Sequence, residues 1–393
     1  MRILVVHNFH RSGAPSGDDA AVKQEIDLLL NNKNKVTLFA RYNDTFSKFS
    51  IFGKLNTFLH LDFSKLIYKE LKLFLKREYF DIIHIHNIFP LITPAVYFTA
   101  MENNIPVVHT LHDFRFFCAN AFLFRNGEIC DLCQTKSTRY SLKYKCFKNS
   151  TIGSLFVTRY LEKVKQREYY KMAQIYIALT EFSKNIYRSF GISEENLRVK
   201  PNFVVSNVEP SNPEFRNYFL YVGRLSEEKG IKVLINAFKS PKLRELKLKI
   251  AGTGPMETEL LKMLKEENIT NIEFLGFKNR QEILYLMSKA IALIIPSTCL
   301  ESFPLTLVEA YSVGTPVIAS EFGNLGYLVK PYVTGLLFKK GDYNELADIV
   351  HNLKGDLRLR AKLSKNSREE YLAYYTPEAN YKTLLCIYEQ ALT

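Results

Sequence analysis

The feature that most constrains this chain is an alternation, run twice, of short apolar segments with longer stretches of helical spacing. In the first half, Ile3–Val6, Val36–Ala40, Ile82–His86, Val107–Leu111 and Ile175–Leu179 read as strands. Segments that are β-branched and apolar at nearly every position fit parallel strands covered on both faces. Asp18–Asn31 places Val22, Ile26, Leu29 and Leu30 on one helical face. The second half repeats the style with Phe219–Val222, Leu248–Ala251, Ile272–Leu275, Ala292–Ile295 and Val317–Ala319. Helical spacing there covers Ile231–Phe238, Met256–Leu264, Arg280–Lys289 and Leu305–Tyr311. The stretch Lys200–Asn217 between the halves is rich in Pro and Asn and reads as a linker. A length of 393 residues suits two domains better than one. The expected class is therefore α/β, with two doubly wound Rossmann-like domains, 1–205 and 206–375, facing across a cleft. The helical segment 376–393 would pack back on the N-terminal domain.

Within the second half, Pro296–Ser320 reads strand end, loop, helix, turn, strand. Pro304 suits a first helical turn, where its missing N–H costs nothing, and Gly314-Thr315-Pro316 ends the helix. Glu301 falls in the loop at the carboxyl end of a strand, and Glu309 on the following helix. Ligands of open α/β sheets bind at that edge. The helix N-terminus between the two carboxylates suits an anion. Carboxylates beside an anion site fit a ligand with both hydroxyls and phosphates, as a nucleotide sugar has.

The chain carries a net charge of +13, unevenly spread. Gln134–Met172 alone holds ten Lys/Arg against two Asp/Glu. Such a face suits nucleic acid, anionic lipid or a polyanionic substrate, or is simply solvated surface. No nucleic-acid recognition motif accompanies it, so nucleic acid is not expected as a partner. No apolar run approaches a membrane span, and MRILVVHNFH reads as a core strand, not a signal peptide. The expected location is cytoplasmic, with the inner membrane face as a resting surface.

Four of the six cysteines, Cys118, Cys130, Cys133 and Cys146, fall close together. Four thiolates can hold a structural zinc, although ribbon-type sites show two close pairs and this segment has one. The alternative is four ordinary thiols. His84 and His86 alternate along one strand and so share a face. Two ligands alone read as a packed strand end.

Taken with their order, several segments resemble known signatures. ESFPLTLVE (Glu301–Glu309) resembles the E-x7-E motif of retaining glycosyltransferases. GRLSEEKG (Gly223–Gly230) resembles their donor-phosphate signature, and AGTGP (Ala251–Pro255) their nucleotide loop. With DIIHIHN, TLHDFRFFC and PNFVV in the expected order, the chain resembles glycosyltransferase family 4, of the GT-B fold, over almost its full length. The resemblance implies transfer of a sugar from a nucleotide donor with retention of configuration and without a catalytic metal. It also implies that Glu301 contacts the transferred sugar and that His112, after Val107–Leu111, does so from the other domain.

Arg224 and Lys229 would hold the diphosphate, where charge grows as the glycosidic bond breaks. Backbone N–H groups at the helix opening, Phe303 and Leu305 among them, would add to this. Glu309 would accept hydrogen bonds from the ribose diol. Gly252 and Gly254 would let the base approach the backbone. Gly17, closing the loop Arg11–Asp18, would bring its backbone to the donor phosphate or the acceptor, although that loop departs from the family's double-glycine form. The expected acceptor is a glycan, lipid-linked, in cell-surface polysaccharide synthesis. The alternatives are a nucleotide-sugar epimerase of the same architecture and a non-enzymatic basic nucleic-acid-binding protein.

Overall fold

The computed structural model describes residues 1–10 and 17–393. The chain forms two compact units, one of residues 1–202 with 380–393 and one of residues 203–379. The loop expected to carry the first glycine contact lies, from Arg11 to Ser16, outside the described residues.

The first unit is a six-stranded parallel sheet of β1 (Arg2–Phe9), β2 (Lys35–Tyr42), β3 (Ile82–Asn87), β4 (Val107–Leu111), β5 (Ile175–Ala178) and β6 (Leu197–Val199). Their order across the sheet is β2-β1-β3-β4-β5-β6. All of β4 and β5, and all of β1 beyond its first residue, are buried, as continuous apolar runs require. The helix Gly17–Asn31 follows β1 and contributes Val22 and Leu29 to the core. The last helix, Pro377–Leu392, adds Leu384, Ile387 and Tyr388 to the same cluster as Ile3, Ile82, Val108 and Ile177. That burial is why residues 380–393 belong to the first unit.

The second unit repeats the plan with β7 (Tyr218–Val222), β8 (Lys247–Ala251), β9 (Ile272–Gly276), β10 (Ala290–Ile295), β11 (Val317–Ser320) and β12 (Gly335–Phe338). Their order is β9-β8-β7-β10-β11-β12, all parallel. The chain runs outward from β7 to β9 and then returns to place β10 on the other side of β7. Connections leaving β7 and β10 therefore diverge, which opens a crevice at their carboxyl ends.

Besides a small antiparallel pair, Phe124–Arg125 with Glu128–Ile129, the structure adds one strand to each six-stranded sheet beyond the five read from the sequence. Both are edge strands too short to show a period. β6 has three residues. β12 opens on Gly335, a weak strand former, where a Cβ would lie 2.0 Å from the Val317 carbonyl oxygen. The basic stretch after Gln134 contains the helix Thr151–Arg167, whose Val157, Tyr160, Leu161 and Val164 are buried. Tyr160 and Tyr169, both within this basic stretch, are core.

Candidate functional site

In the second unit the crevice between β7 and β10 gathers most of the expected donor residues. The loop after β10 carries Glu301. Lys229 Nζ donates to both of its carboxylate oxygens, at 2.7 and 2.8 Å, and Ser297 Oγ donates to Oε1 at 2.6 Å. Burial works against the Lys229 charge, but Glu301, with Cys299 and Glu228, outweighs it and holds the pKa above the ordinary lysine value. Lys229 and Glu301, expected to meet different parts of a ligand, are thus partners of each other. The loop is pinned from below: Asn324 Nδ2 donates to the carbonyls of Glu301 and Ser302 at 2.7 and 3.0 Å, and Ser320 Oγ to that of Ser297 at 2.5 Å.

Gly230, directly after Lys229, has φ +70°, and a Cβ there would sit 1.8 Å from the Pro296 carbonyl oxygen. Only glycine allows the two loops to meet so closely. This sets Lys229 against the Glu301 loop. Gly252 and Gly254 serve the same kind of contact. Their Cβ positions would fall 1.9 Å from the Gly223 oxygen and 2.3 Å from the Leu225 oxygen. The space their missing side chains leave is filled by the chain's own backbone. Arg224 is exposed, and its guanidinium forms no ion pair with a described residue.

The helix Leu305–Ser312 begins after Pro304, which takes the N-cap position with φ −74° and no side-chain cap. Pro304 therefore precedes the first helical turn and does not lie within it. The amides of Leu305 and Thr306 stand at the open end of this helix, and Phe303 beside them is buried. Glu309 lies one turn in, with Arg280 Nε 3.5 Å from its carboxylate. Burial pushes the Glu309 pKa up to about 7, and Arg280 offsets this only in part.

In the first unit, His112 follows β4 and is buried. Its Nε2 lies 2.9 Å from His86 Nδ1, and its Nδ1 lies 3.8 Å from Asp18 at the start of the first helix. Burial, with His86 and His7 adding to it, holds its pKa well below the ordinary value, so the ring is neutral. A small pocket at this strand edge is lined by His86, Phe89, His112, Asp113 and Arg115. Gly17 opens the first helix and is exposed.

His84 and His86 do share a face, and the structure adds Glu25 between them, 3.2 Å from each. Among the described residues these three form the group whose ligand-type atoms lie within 4.8 Å of one another. The chain supplies partners to most of their atoms, although Glu25 Oε1 is buried without a hydrogen bond. Lys200 Nζ contacts Glu25 Oε2 at 2.7 Å, Tyr388 Oη contacts His84 Nδ1 at 2.7 Å, and Thr110 Oγ1 contacts His84 Nε2 at 2.8 Å. Glu25 is held well below the usual carboxylate range because Lys200, His84 and His86 outweigh the opposing effect of burial.

Cys118 and Cys133 are buried, Cys130 and Cys146 partly so, and none forms a disulfide. Burial, with the neighbouring thiols, pushes Cys133 to about 12 and Cys146 to about 11. Cys118, Cys130 and Cys146 all act on Cys133, so the four thiols are neighbours, although no three of their sulfurs lie within 4.8 Å of one another.

Sequence reading missed Ser297, Asn324, Arg280 and Gly230. Gly230 ends the segment GRLSEEKG just before a helix, a place that suits a glycine with positive φ. The others carried no local signal.

Comparison with known proteins adds to this geometry. The family model described as "Glycosyltransferase Family 4" matches residues 22–207, and "Glycosyl transferases group 1" matches residues 206–370. An uncharacterized glycosyltransferase of Methanocaldococcus jannaschii is 30% identical over 179 residues, 45% of this chain and 50% of that protein. O-antigen chain mannosyltransferase C of Escherichia coli is 25% identical over 164 residues, 41% of this chain and 43% of that one. The chain thus spans about half the length of the curated relatives it matches. The crystal structure of HepE from Anabaena in complex with UDP superposes with a TM-score of 0.70 at 20% identity, covering 99% of this chain and 100% of that one. The apo lipopolysaccharide outer core galactosyltransferase WaaB gives 0.65 at 18%, covering 98% and 99%.

Proposed function

Because the chain belongs to the glycosyltransferases of family 4 and group 1, with the GT-B fold, we propose that it moves a hexose from a nucleoside-diphosphate sugar to a glycan acceptor. The observation that carries this reading is the Lys229–Glu301–Ser297 constellation beside an uncapped helix N-terminus, at the crevice between β7 and β10. Lys229, Arg224 and the Leu305 amide would receive the diphosphate, where negative charge grows in the transition state. Glu301 would meet hydroxyls of the sugar being moved, and ionised Glu309 would accept from the ribose diol. HepE, whose structures hold UDP and UDP-glucose, makes a uridine diphosphate sugar the first donor to try.

Both Glu301 oxygens are engaged by Lys229, which suits a positioning carboxylate better than a nucleophile. The proposed chemistry is a same-face displacement with retention. The acceptor oxygen bonds to the anomeric carbon, the bond to the diphosphate oxygen breaks, and the acceptor's proton passes to the departing phosphate. No metal takes part. The neutral His112 would contact a sugar hydroxyl at the pocket of the first unit. Relatives in O-antigen and outer-core synthesis favour a cell-surface polysaccharide, lipid-linked, as acceptor.

The test is a thermal-shift screen of nucleotide sugars, followed by transfer assays with the donor that binds. A donor that raises the melting temperature and is consumed with an acceptor supports the reading. Interconversion of the donor sugar without transfer would replace it with the epimerase alternative.

A further inference from the structure

The helix Ile51–Leu59 buries none of its residues, although it is strongly apolar. Its exposed positions are Ile51, Phe52, Leu55, Asn56 and Leu59, and Ile51 and Phe52 are 82% and 84% exposed. The half turned toward the protein holds Gly53, Lys54, Thr57 and Phe58. This inverts the usual arrangement, in which a surface helix turns its apolar stripe inward.

Phe58 fixes the helix in place. It stacks on Phe156 at 5.4 Å and meets Phe147 edge-on at 6.4 Å. Phe156 belongs to the helix Thr151–Arg167, whose first turns expose Ile152 (71%) and Leu155 (52%). Two adjoining helices of the first unit thus present apolar side chains outward. Exposed Lys48, Lys145, Lys148 and Arg159 flank them in sequence, and Gln134–Met172 carries a surplus of eight positive charges.

We infer that this face docks on an anionic lipid bilayer, with Ile51, Phe52, Leu55 and Ile152 entering the interface and the lysines meeting lipid phosphates. Apolar side chains flanked by cations fit a negatively charged membrane surface, where both terms add. An acidic protein partner would satisfy the cations and leave Ile51 and Phe52 with less to gain. No helix among the described residues is long and apolar enough to cross a membrane, so the binding is at the surface. The inference rests on this face alone and is read without a nucleotide sugar, so its failure would leave the transferase reading standing.

The experiment is co-sedimentation of the full chain with vesicles of phosphatidylcholine alone and with phosphatidylglycerol added. Binding is expected only with phosphatidylglycerol, and should fall as salt is raised. The pair Ile51→Glu and Phe52→Glu should cut partitioning at least about tenfold. The melting temperature should hold, because both side chains are exposed. A second pair, Lys145→Glu and Lys148→Glu, should weaken binding while leaving the apolar face intact. Failure to bind anionic vesicles, or unchanged binding by both pairs, would overturn the inference. So would a wild-type dimer that Phe52→Glu dissociates while vesicle binding is absent, which would assign the face to a second copy of the chain.

Discussion

Glu309→Gln should stabilise the protein in neutral to alkaline solution while weakening donor binding. The Glu309 pKa stands at about 7 in the folded chain against an ordinary 4.5. Between those values the folded protein keeps a proton that the unfolded chain has released, so stability declines as pH rises through that window. The penalty is absent below the ordinary value and complete above about pH 7. At about 1.4 kcal/mol per unit, it amounts to about 3 kcal/mol. Glutamine has no such penalty. The attraction of Arg280 is already contained in that pKa, so the expected gain is about 3 kcal/mol. Urea unfolding of wild type and variant at about pH 8 and about pH 4.5 measures it: a gain at the higher pH and near equality at the lower. A variant equally destabilised at both would show that Glu309 is ionised at no cost and that its burial has been misread.

Other substitutions separate the remaining roles. If ionised Glu309 holds the ribose, donor affinity at about pH 6 should be about tenfold below that at about pH 8, measured by calorimetry. Glu301→Gln should lower kcat with less effect on donor affinity, whereas Glu309→Ala should mainly raise the donor Kd; steady-state kinetics with binding measurements resolves the two. Lys200→Met leaves Glu25 buried without its cation and should cost about 3–5 kcal/mol in denaturant unfolding. If Cys118, Cys130, Cys133 and Cys146 hold a structural zinc, metal analysis should find the ion and chelation should lower the melting temperature; no zinc and an unchanged melting temperature would leave four ordinary thiols.

Both sheets were legible because buried parallel strands write themselves as β-branched runs, and ten of the twelve could be placed from that pattern alone. β6 and β12 were not, since three or four edge residues carry no period. The donor crevice was legible in outline, because Lys229, Glu301 and Glu309 sit at strand ends and a helix start that local sequence announces. Their pairing was not. Whether Lys229 meets Glu301 depends on Gly230 closing against Pro296, a contact between distant loops. Asn324, which clamps the Glu301 loop, lies one strand further on and looks like any turn residue. The inverted helix Ile51–Leu59 escaped notice because apolar spacing alone does not say which side faces the protein.

The central claim is that the crevice between β7 and β10 binds a nucleoside-diphosphate sugar through Lys229 and Glu309. Calorimetric titration of wild type and a Lys229→Ala, Glu309→Ala double variant with the donor found by screening tests it most directly. The account predicts saturable one-site binding by the wild type and its loss, by a hundredfold or more at about 1.4 kcal/mol per tenfold, in a variant that still folds. Equal affinity in both proteins would contradict it.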